Sequence, residues 1–306
     1  MTTVQAPKVA RQNYVKSENR AGYLFLLPWL LGLFVITIGP MLYSLYLSFT
    51  DYSLISDPIW VGAENYIDMF TRDRRFFNSV IVTSTYVILG VPLQLAFALS
   101  LALVLDKGIR GLTLYRAIFY LPSLLGGSVA IALLWRQVFG LDGLANSVLA
   151  VFGIEGKSWI ASPDTALGTL ILLLAWQFGS PMVIFLAGLR QIPTELYEAA
   201  SVDGATKFRQ FLSITLPMLS PIIFFNLVLQ MIGAFQAFTP AFIVSGGKGG
   251  PNDATLFYTL YLYQEGFQNF DMGYAAALAW VLLVVIGGVT AINFIASRYW
   301  VFYNDK

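Results

Sequence analysis

The sequence predicts an all-α integral membrane protein with six membrane-spanning helices. Of its 306 residues, 57% are hydrophobic and only 11% are charged, and the mean hydropathy is +0.69. Soluble domains carry about 25% charged residues, so this chain has too few charges to cover a soluble globule of its size. Its apolar residues also cluster into long runs, each near or above the ~20 residues that cross a bilayer as a helix.

The six predicted spans follow one another along almost the whole chain. The first is too long for the apolar core of a signal peptide and no small-residue cleavage site follows it, which predicts an uncleaved span. Proline and paired glycine residues inside the runs predict kinks and close helix contacts. The runs are 22–49, 79–105, 112–139, 166–190, 211–245 and 273–297.

The distribution of Lys and Arg predicts that both termini lie in the cytoplasm. The positive-inside rule places most of these residues on the cytoplasmic side of the membrane. The chain then divides into a cytoplasmic tail over 1–20 and a six-helix transmembrane domain over 21–306. Of the 18 Lys and Arg residues, those left on the outer side are Arg72, Arg74, Arg75, Arg136, Lys157 and Lys248.

The three outer loops, 50–78, 140–165 and 246–272, are acidic and rich in aromatic residues. Aromatic residues at this position serve as anchors at the membrane–water interface. The three loops would also suit a docking face for an extracytoplasmic protein. The sequence leaves these two interpretations open.

Several classes of function are excluded by what the sequence lacks. There is no Cys and no His, which excludes disulfides, thiolate or imidazole metal sites, a Ser-His-Asp triad and a Cys nucleophile. Gly156-Lys157-Ser158 ends like a phosphate-binding loop, but Val151 stands where that motif needs its first glycine. We therefore expect no metal, cofactor or nucleotide site in this chain. The net charge of only +1 predicts no nucleic-acid partner.

The middle of every predicted span is free of ionisable residues. Ion-coupled carriers usually bury such groups as ion sites and proton relays. Their absence argues against an ion-coupled secondary carrier, which remains the alternative together with a non-transporting membrane scaffold. It also argues against a strongly charged substrate at the centre of the membrane.

The most informative segment is the polar stretch 191–217, between the fourth and fifth runs. Thr194 is a suitable N-cap and Glu195 would lie in the first turn of a short helix. Gly204 would end that helix because glycine tolerates a positive φ, and a second short helix would follow. Two helices joined at a glycine form either a rigid docking loop or an interfacial amphipathic helix.

The spacing of this segment resembles the EAA loop of the inner-membrane permeases of binding-protein-dependent ABC importers. It has Glu198-Ala199-Ala200, then Gly204 after three intervening residues, and Ile214-Thr215-Leu216-Pro217 after nine more. Softer similarities point to the sugar-type members, such as the maltose and glycerol-phosphate transporter permeases, and extend the resemblance from about residue 20 to 300. They are Leu121-Pro122-Ser123 and the stretches 249–252 and 269–276.

The resemblance implies the type I ABC importer permease fold, in the cytoplasmic membrane of a bacterium or archaeon. It also implies partners: a second similar permease, two ATPase subunits that bind ATP and magnesium, an extracytoplasmic solute-binding protein, and the surrounding lipid. The EAA loop would dock into a cleft of the ATPase. Glu198 would anchor it and Gly204 would let it fit the cleft. The coupling residues implied are Glu198, Ala199, Ala200, Asp203, Gly204, Ala205, Lys207 and Arg209.

In this family the substrate crosses between the two permeases. The polar and aromatic residues at the centre of the fourth and fifth spans are candidates for the pathway, although such groups also bond helices together. They are Trp176, Gln177, Ser180, Asn226, Gln230 and Gln236. Trp176 and Gln177 are adjacent and must face different directions. The lack of buried charge favours a neutral sugar, oligosaccharide or polyol over glycerol phosphate.

Overall fold

The computed structural model describes residues 22–108 and 111–302. The predicted cytoplasmic tail 1–20 lies outside this part of the chain. The described chain is mostly helical, as predicted. Its only strands, in these residues, are β1 (Thr50–Asp51) and β2 (Ile59–Trp60), which pair antiparallel.

Within residues 22–108 and 111–302, four helices are long and apolar enough to cross a membrane by themselves. They are α1 (Gly22–Leu47), α3 (Arg74–Asp106), α10 (Lys207–Phe235) and α13 (Met272–Trp300). The remaining helices are α2 (Glu64–Thr71), α4 (Leu112–Leu125), α5 (Val129–Val138), α6 (Leu144–Val151), α7 (Pro163–Trp176), α8 (Gly179–Leu189), α9 (Thr194–Val202), α11 (Thr239–Val244) and α12 (Tyr258–Tyr263).

Two of the six predicted spans are bent pairs of helices, so the number of spans is six only if each pair is counted once. Helices α4 and α5 meet at 96°, and α7 and α8 at 41°. The run 112–139 is therefore not one straight helix. Pro122 lies in the last turn of α4, and the Ser128 hydroxyl begins α5 by accepting the Ile131 N–H at 3.3 Å. The run 211–245 is also interrupted, because α10 ends at Phe235 and the separate α11 begins at Thr239.

The core lies around α3, which packs against α7, α8 and α10. Small residues allow these close contacts: a Cβ at Gly90 would come within 2.7 Å of the Leu174 side chain, and Ala98 and Ala102 are fully buried. Helix α1, by contrast, has no buried residue and touches the rest mainly where its C-terminal half meets α13. Most of its apolar surface is left for lipid or a partner.

Side chains of α3, α12 and α13 hold one end of the fold together. The Asp73 carboxylate caps α3 and accepts hydrogen bonds from the hydroxyls of Tyr261 and Tyr274. Burial, followed by the hydrogen bond to Asp73, raises the pKa of Tyr261 well above its usual range. Arg75 donates from Nε to Asp253 at 3.0 Å and from Nη2 to Gln264 at 2.9 Å. These bonds fix the loop that precedes α12 on the start of α3.

Replacement of Arg75 tests this connection. Arg75→Leu removes charge-assisted hydrogen bonds from a partly buried carboxylate, so we expect the free energy of unfolding to fall by about 1–2 kcal/mol. The measurement is the thermal midpoint of the purified protein in detergent, together with protease sensitivity of residues 246–257. Arg72→Leu is the matched control, because its ion pair with Asp68 is more exposed and exposed pairs contribute little. Equal effects of the two substitutions would contradict the prediction.

Candidate functional site

The EAA-like segment folds as a helix, a glycine turn and the start of a second helix. Helix α9 carries Glu195 in its first turn, as predicted, but its N-cap residue is Pro193 rather than Thr194. The helix ends at Val202 with Asp203 as its C-cap residue. Gly204 then takes φ +77°, the left-handed conformation that glycine adopts without a steric cost. The Ala205 N–H then donates to the Ala200 carbonyl at 2.9 Å. This bond closes the turn.

One buried side chain holds the loop on the base of α10. Gln210 is 3% exposed, and its Nε2 donates to the Ser201 hydroxyl at 2.8 Å and the Ala205 carbonyl at 3.3 Å. The hydroxyls of Tyr197 and Thr215 lie 2.9 Å apart and make a second link. The predicted second short helix is not separate, since it continues without a break from Lys207 into α10. Segment 194–215 is therefore one unit, which we call the coupling loop.

The outer face of the coupling loop combines charges with exposed apolar side chains. Glu198, Ala199, Asp203, Gly204, Lys207 and Arg209 are exposed, whereas Ala200 and Ala205 are partly buried. Within the described residues none of these charged groups forms an ion pair. Val202 and Phe208 are 89% and 72% exposed. Neither was among the predicted coupling residues, although large apolar side chains in so polar a loop were a usable signal.

A polar cavity of about 410 Å³ lies where α7 breaks from α8, at the centre of the fold. Residues of six helices contribute to its lining, and no Asp, Glu, Lys or Arg is among the described lining residues. The lining side chains that can hydrogen-bond are Tyr86, Gln94, Ser123, Gln177, Ser180, Gln230 and Thr239. Phe238 adds an aromatic surface.

The break itself is held by side chains from two other helices. The backbone carbonyl of Gln177, freed at the end of α7, accepts from Gln94 Nε2 at 2.9 Å and from the Ser123 hydroxyl at 3.0 Å. The Ser180 N–H, at the start of α8, donates to the same Ser123 hydroxyl at 2.7 Å. Gln94 Oε1 is buried and has no hydrogen-bond partner in the described chain. The cavity therefore contains an amide acceptor whose bonding capacity is unused.

Only half of the predicted pathway residues lie at this cavity. Gln177, Ser180 and Gln230 line it. Trp176 instead packs on Trp135, with ring centroids 6.1 Å apart. Asn226 is fully buried and bonds the Ile222 carbonyl of its own helix, while Gln236 is exposed at the end of α10.

Gln94, Ser123 and Thr239 were missed, because each lies on a different helix from the residues that were predicted. For Gln94 a signal existed, since it is the only amide side chain in the apolar run 79–105.

Two helices, α8 and α10, connect the cavity with the coupling loop. Helix α8 begins at the break beside Gln177 and ends at Leu189, five residues before α9. Beyond its last turn Arg190 pairs with Asp106 at the end of α3, at 3.6 Å. A displacement of the coupling loop would therefore reach the cavity through α8, and also through α10, which begins in the loop and carries Gln230.

Comparison with known proteins shows which family has this architecture. The profile of the family "Binding-protein-dependent transport system inner membrane component" matches residues 59–299. The probable ABC transporter permease protein YesP of Bacillus subtilis is 52% identical, over 100% of this chain and 99% of that protein. The trehalose/maltose transport system permease protein MalF of Thermococcus litoralis is 31% identical, over 92% and 95%.

The fold is also similar to a solved structure. A chain of the bacterial alginate ABC transporter, solved in complex with an alginate pentasaccharide-bound periplasmic protein, matches with a TM-score of 0.77 and 22% identity. The match covers 92% of this chain and 95% of that one. The chain therefore belongs to the binding-protein-dependent transport system inner membrane components, which confirms its resemblance to ABC importer permeases and makes it a multi-pass transport subunit rather than an enzyme.

Proposed function

We propose that this chain forms half of the translocation pathway of an ATP-driven importer for a neutral sugar, oligosaccharide or polyol. The observation that carries the proposal is the uncharged polar cavity at the α7–α8 break. Amide and hydroxyl groups both donate and accept hydrogen bonds, which matches the alternating donors and acceptors of a polyhydroxylated substrate. The aromatic surface of Phe238 suits the apolar face of a sugar ring.

The chemistry of the lining also argues against charged substrates. A phosphate or carboxylate taken out of water needs a cationic or strongly donating partner. The lining residues include no Lys or Arg. The name of the Thermococcus relative, a trehalose/maltose permease, supports the same substrate class.

Coupling to ATP hydrolysis would take place at the coupling loop. Its exposed Val202 and Phe208 would enter a cleft of the ATPase subunit, and Glu198 would pair with a basic residue at the edge of that cleft. Asp203, Lys207 and Arg209 would form the polar rim. Helix α8 would carry the movement to the cavity, so that the cavity opens to alternate sides of the membrane.

The assembly would contain this permease, a second similar permease, two ATPase subunits that bind ATP and magnesium, and an extracytoplasmic binding protein. The coupling loop and both termini would be cytoplasmic. The exposed surface of α1 is available to the second permease or to lipid. No nucleotide would bind to this chain.

The test is purification in mild detergent from the organism that encodes the protein, with mass spectrometry of the proteins that accompany it. We expect a second permease and an ATPase with a phosphate-binding loop, and then uptake of neutral sugars by the complex reconstituted with its binding protein. A chain that purifies alone even after cross-linking would contradict the importer proposal. Uptake of only phosphorylated or acidic sugars would contradict the substrate class while leaving the importer intact.

A further inference from the structure

The outer segment 139–160 is a compact unit built around one asparagine. Asn146 is 8% exposed, and its Nδ2 donates to the carbonyls of Leu141 at 2.7 Å and Lys157 at 2.9 Å. Its Oδ1 accepts the indole N–H of Trp159 at 2.7 Å. Both the nitrogen and the oxygen of this amide thus form hydrogen bonds within the segment and close it on itself. The segment is a folded unit rather than an open loop.

This unit turns an apolar face outward. Leu144, Val148 and Val151 follow one another along a single face of α6, and they are 66%, 53% and 82% exposed. Phe152, immediately after the helix, is 74% exposed. Charged side chains occur only beside this face, at Asp142, Glu155 and Lys157. A network that buries its polar groups and exposes its large apolar ones is suited to an apolar surrounding.

The apolar face continues onto the membrane-facing surface of neighbouring helices. A groove of about 710 Å³ runs between α6 and α7, and its lining includes Val148, Leu149 and Leu172. Leu172 is itself 49% exposed on α7, and Leu133 and Leu134 are similarly exposed on α5. The groove therefore lies beside further exposed apolar side chains on α5 and α7.

The lengths of the helices place this unit near the outer surface of the bilayer. At 1.5 Å per residue the 14 residues of α4 extend about 21 Å, which is less than the ~30 Å of the hydrocarbon core. The 96° bend then turns α5 sideways, so α5 and α6 follow in the outer part of the membrane. Lys157 lies over the Trp159 ring at 4.9 Å, and both residue types are common at the level of the lipid headgroups.

We propose that α6 and Phe152 lie in the outer leaflet, with their apolar face among the acyl chains and a lipid tail in the groove beside α7. The unit would be an in-plane anchor that holds the outer ends of α5 and α7 at a fixed depth. Under this proposal the 140–165 loop serves interfacial anchoring rather than protein docking. The inference depends on the membrane location of the family and not on the import of sugar.

The absence of cysteine from the chain makes a direct test simple, because a single introduced cysteine carries the only spin label. Val148→Cys and Val151→Cys report on the apolar face, and Asp142→Cys and Glu155→Cys report on exposed polar positions of the same unit. The full chain is spin-labelled by itself, and only then combined with its co-purifying subunits and reconstituted into lipid nanodiscs. The measurement is the collision rate of each label with oxygen, which concentrates in lipid, and with a water-soluble nickel chelate.

We expect the oxygen-to-chelate ratio to be several-fold higher at positions 148 and 151 than at 142 and 155. A ratio at 148 and 151 equal to that at 155 would place the face in water and overturn the proposal. Labels at 148 and 151 that neither reagent reaches would show that a protein covers the face, which would overturn it too. Wild-type thermal stability of each labelled variant confirms that the unit remains folded.

Discussion

Gly204→Asn is expected to lower ATP-driven uptake by about tenfold or more, through a docking penalty of at least ~1.4 kcal/mol, while the chain itself stays folded. Gly204 adopts φ +77° in an exposed turn, and a Cβ added there meets no atom of this chain within 4 Å. Asparagine is the residue that best tolerates this conformation after glycine. The new side chain therefore adds little strain but projects from the face that would enter the ATPase cleft.

The measurement combines co-purification of the ATPase subunit with uptake into proteoliposomes. Gly62→Asn is the matched control, because Gly62 also has a positive φ, +64°, and no atom within 4 Å of an added Cβ, but lies far along the chain from the coupling loop, between β2 and α2. We expect the control to assemble and transport as the wild type does. Normal uptake by Gly204→Asn would rule out the coupling loop as the docking element, whereas equal losses in both variants would point to backbone strain.

Hydropathy predicted the position of the unbroken spans closely. The run 22–49 corresponds to α1, and 273–297 corresponds to α13, Met272–Trp300. Helix α3 begins five residues earlier than the predicted 79, because the Asp73 carboxylate caps it within a polar stretch outside the apolar run. Apolar length is a local property of a sequence, so these elements could be recognised without tertiary information.

The angles of the bends could not be predicted, because they depend on contacts between segments that are distant in the sequence. Pro122 and Gly126-Gly127 indicate a kink, but the 96° angle accompanies the packing of α5 against α11 and the bond from Trp135 Nε1 to the Thr169 carbonyl at 2.8 Å. Gln94 and Ser123 were missed for the same reason. They meet the Gln177 carbonyl only after three helices pack around one break.

The coupling loop was the most predictable part of the candidate site because its signals are local. A glycine with positive φ, helix-forming residues on either side and a fixed spacing all lie within 191–217. The loop differed from expectation only at its cap and in the continuity of its second helix. Its function as a docking element remains a proposal that the Gly204 variants test.

Gln230→Leu is expected to reduce the rate of uptake about tenfold when the binding protein is saturated with substrate. Gln230 lines the cavity, and its side-chain amide makes no hydrogen bond within the described chain, so it is available to a substrate hydroxyl. Leucine has similar volume but leaves that hydroxyl without its partner when the substrate fills the cavity, at a cost of about 1–3 kcal/mol. Stability should not fall, because no internal bond is lost.

Two other predicted pathway residues provide the controls for this experiment. Asn226→Leu alters a fully buried amide that bonds only within its own helix and lies away from the cavity, and Gln236→Leu alters an exposed one. If the cavity is the pathway, both variants transport at nearly the wild-type rate and only Gln230→Leu is slow. If instead all three are equally slow, amides along α10 matter for helix packing, and the pathway lies elsewhere between the two permeases. In the expected outcome, where only Gln230→Leu is slow, the position of a side chain relative to the α7–α8 break, rather than its polarity, decides which α10 residues act on the substrate.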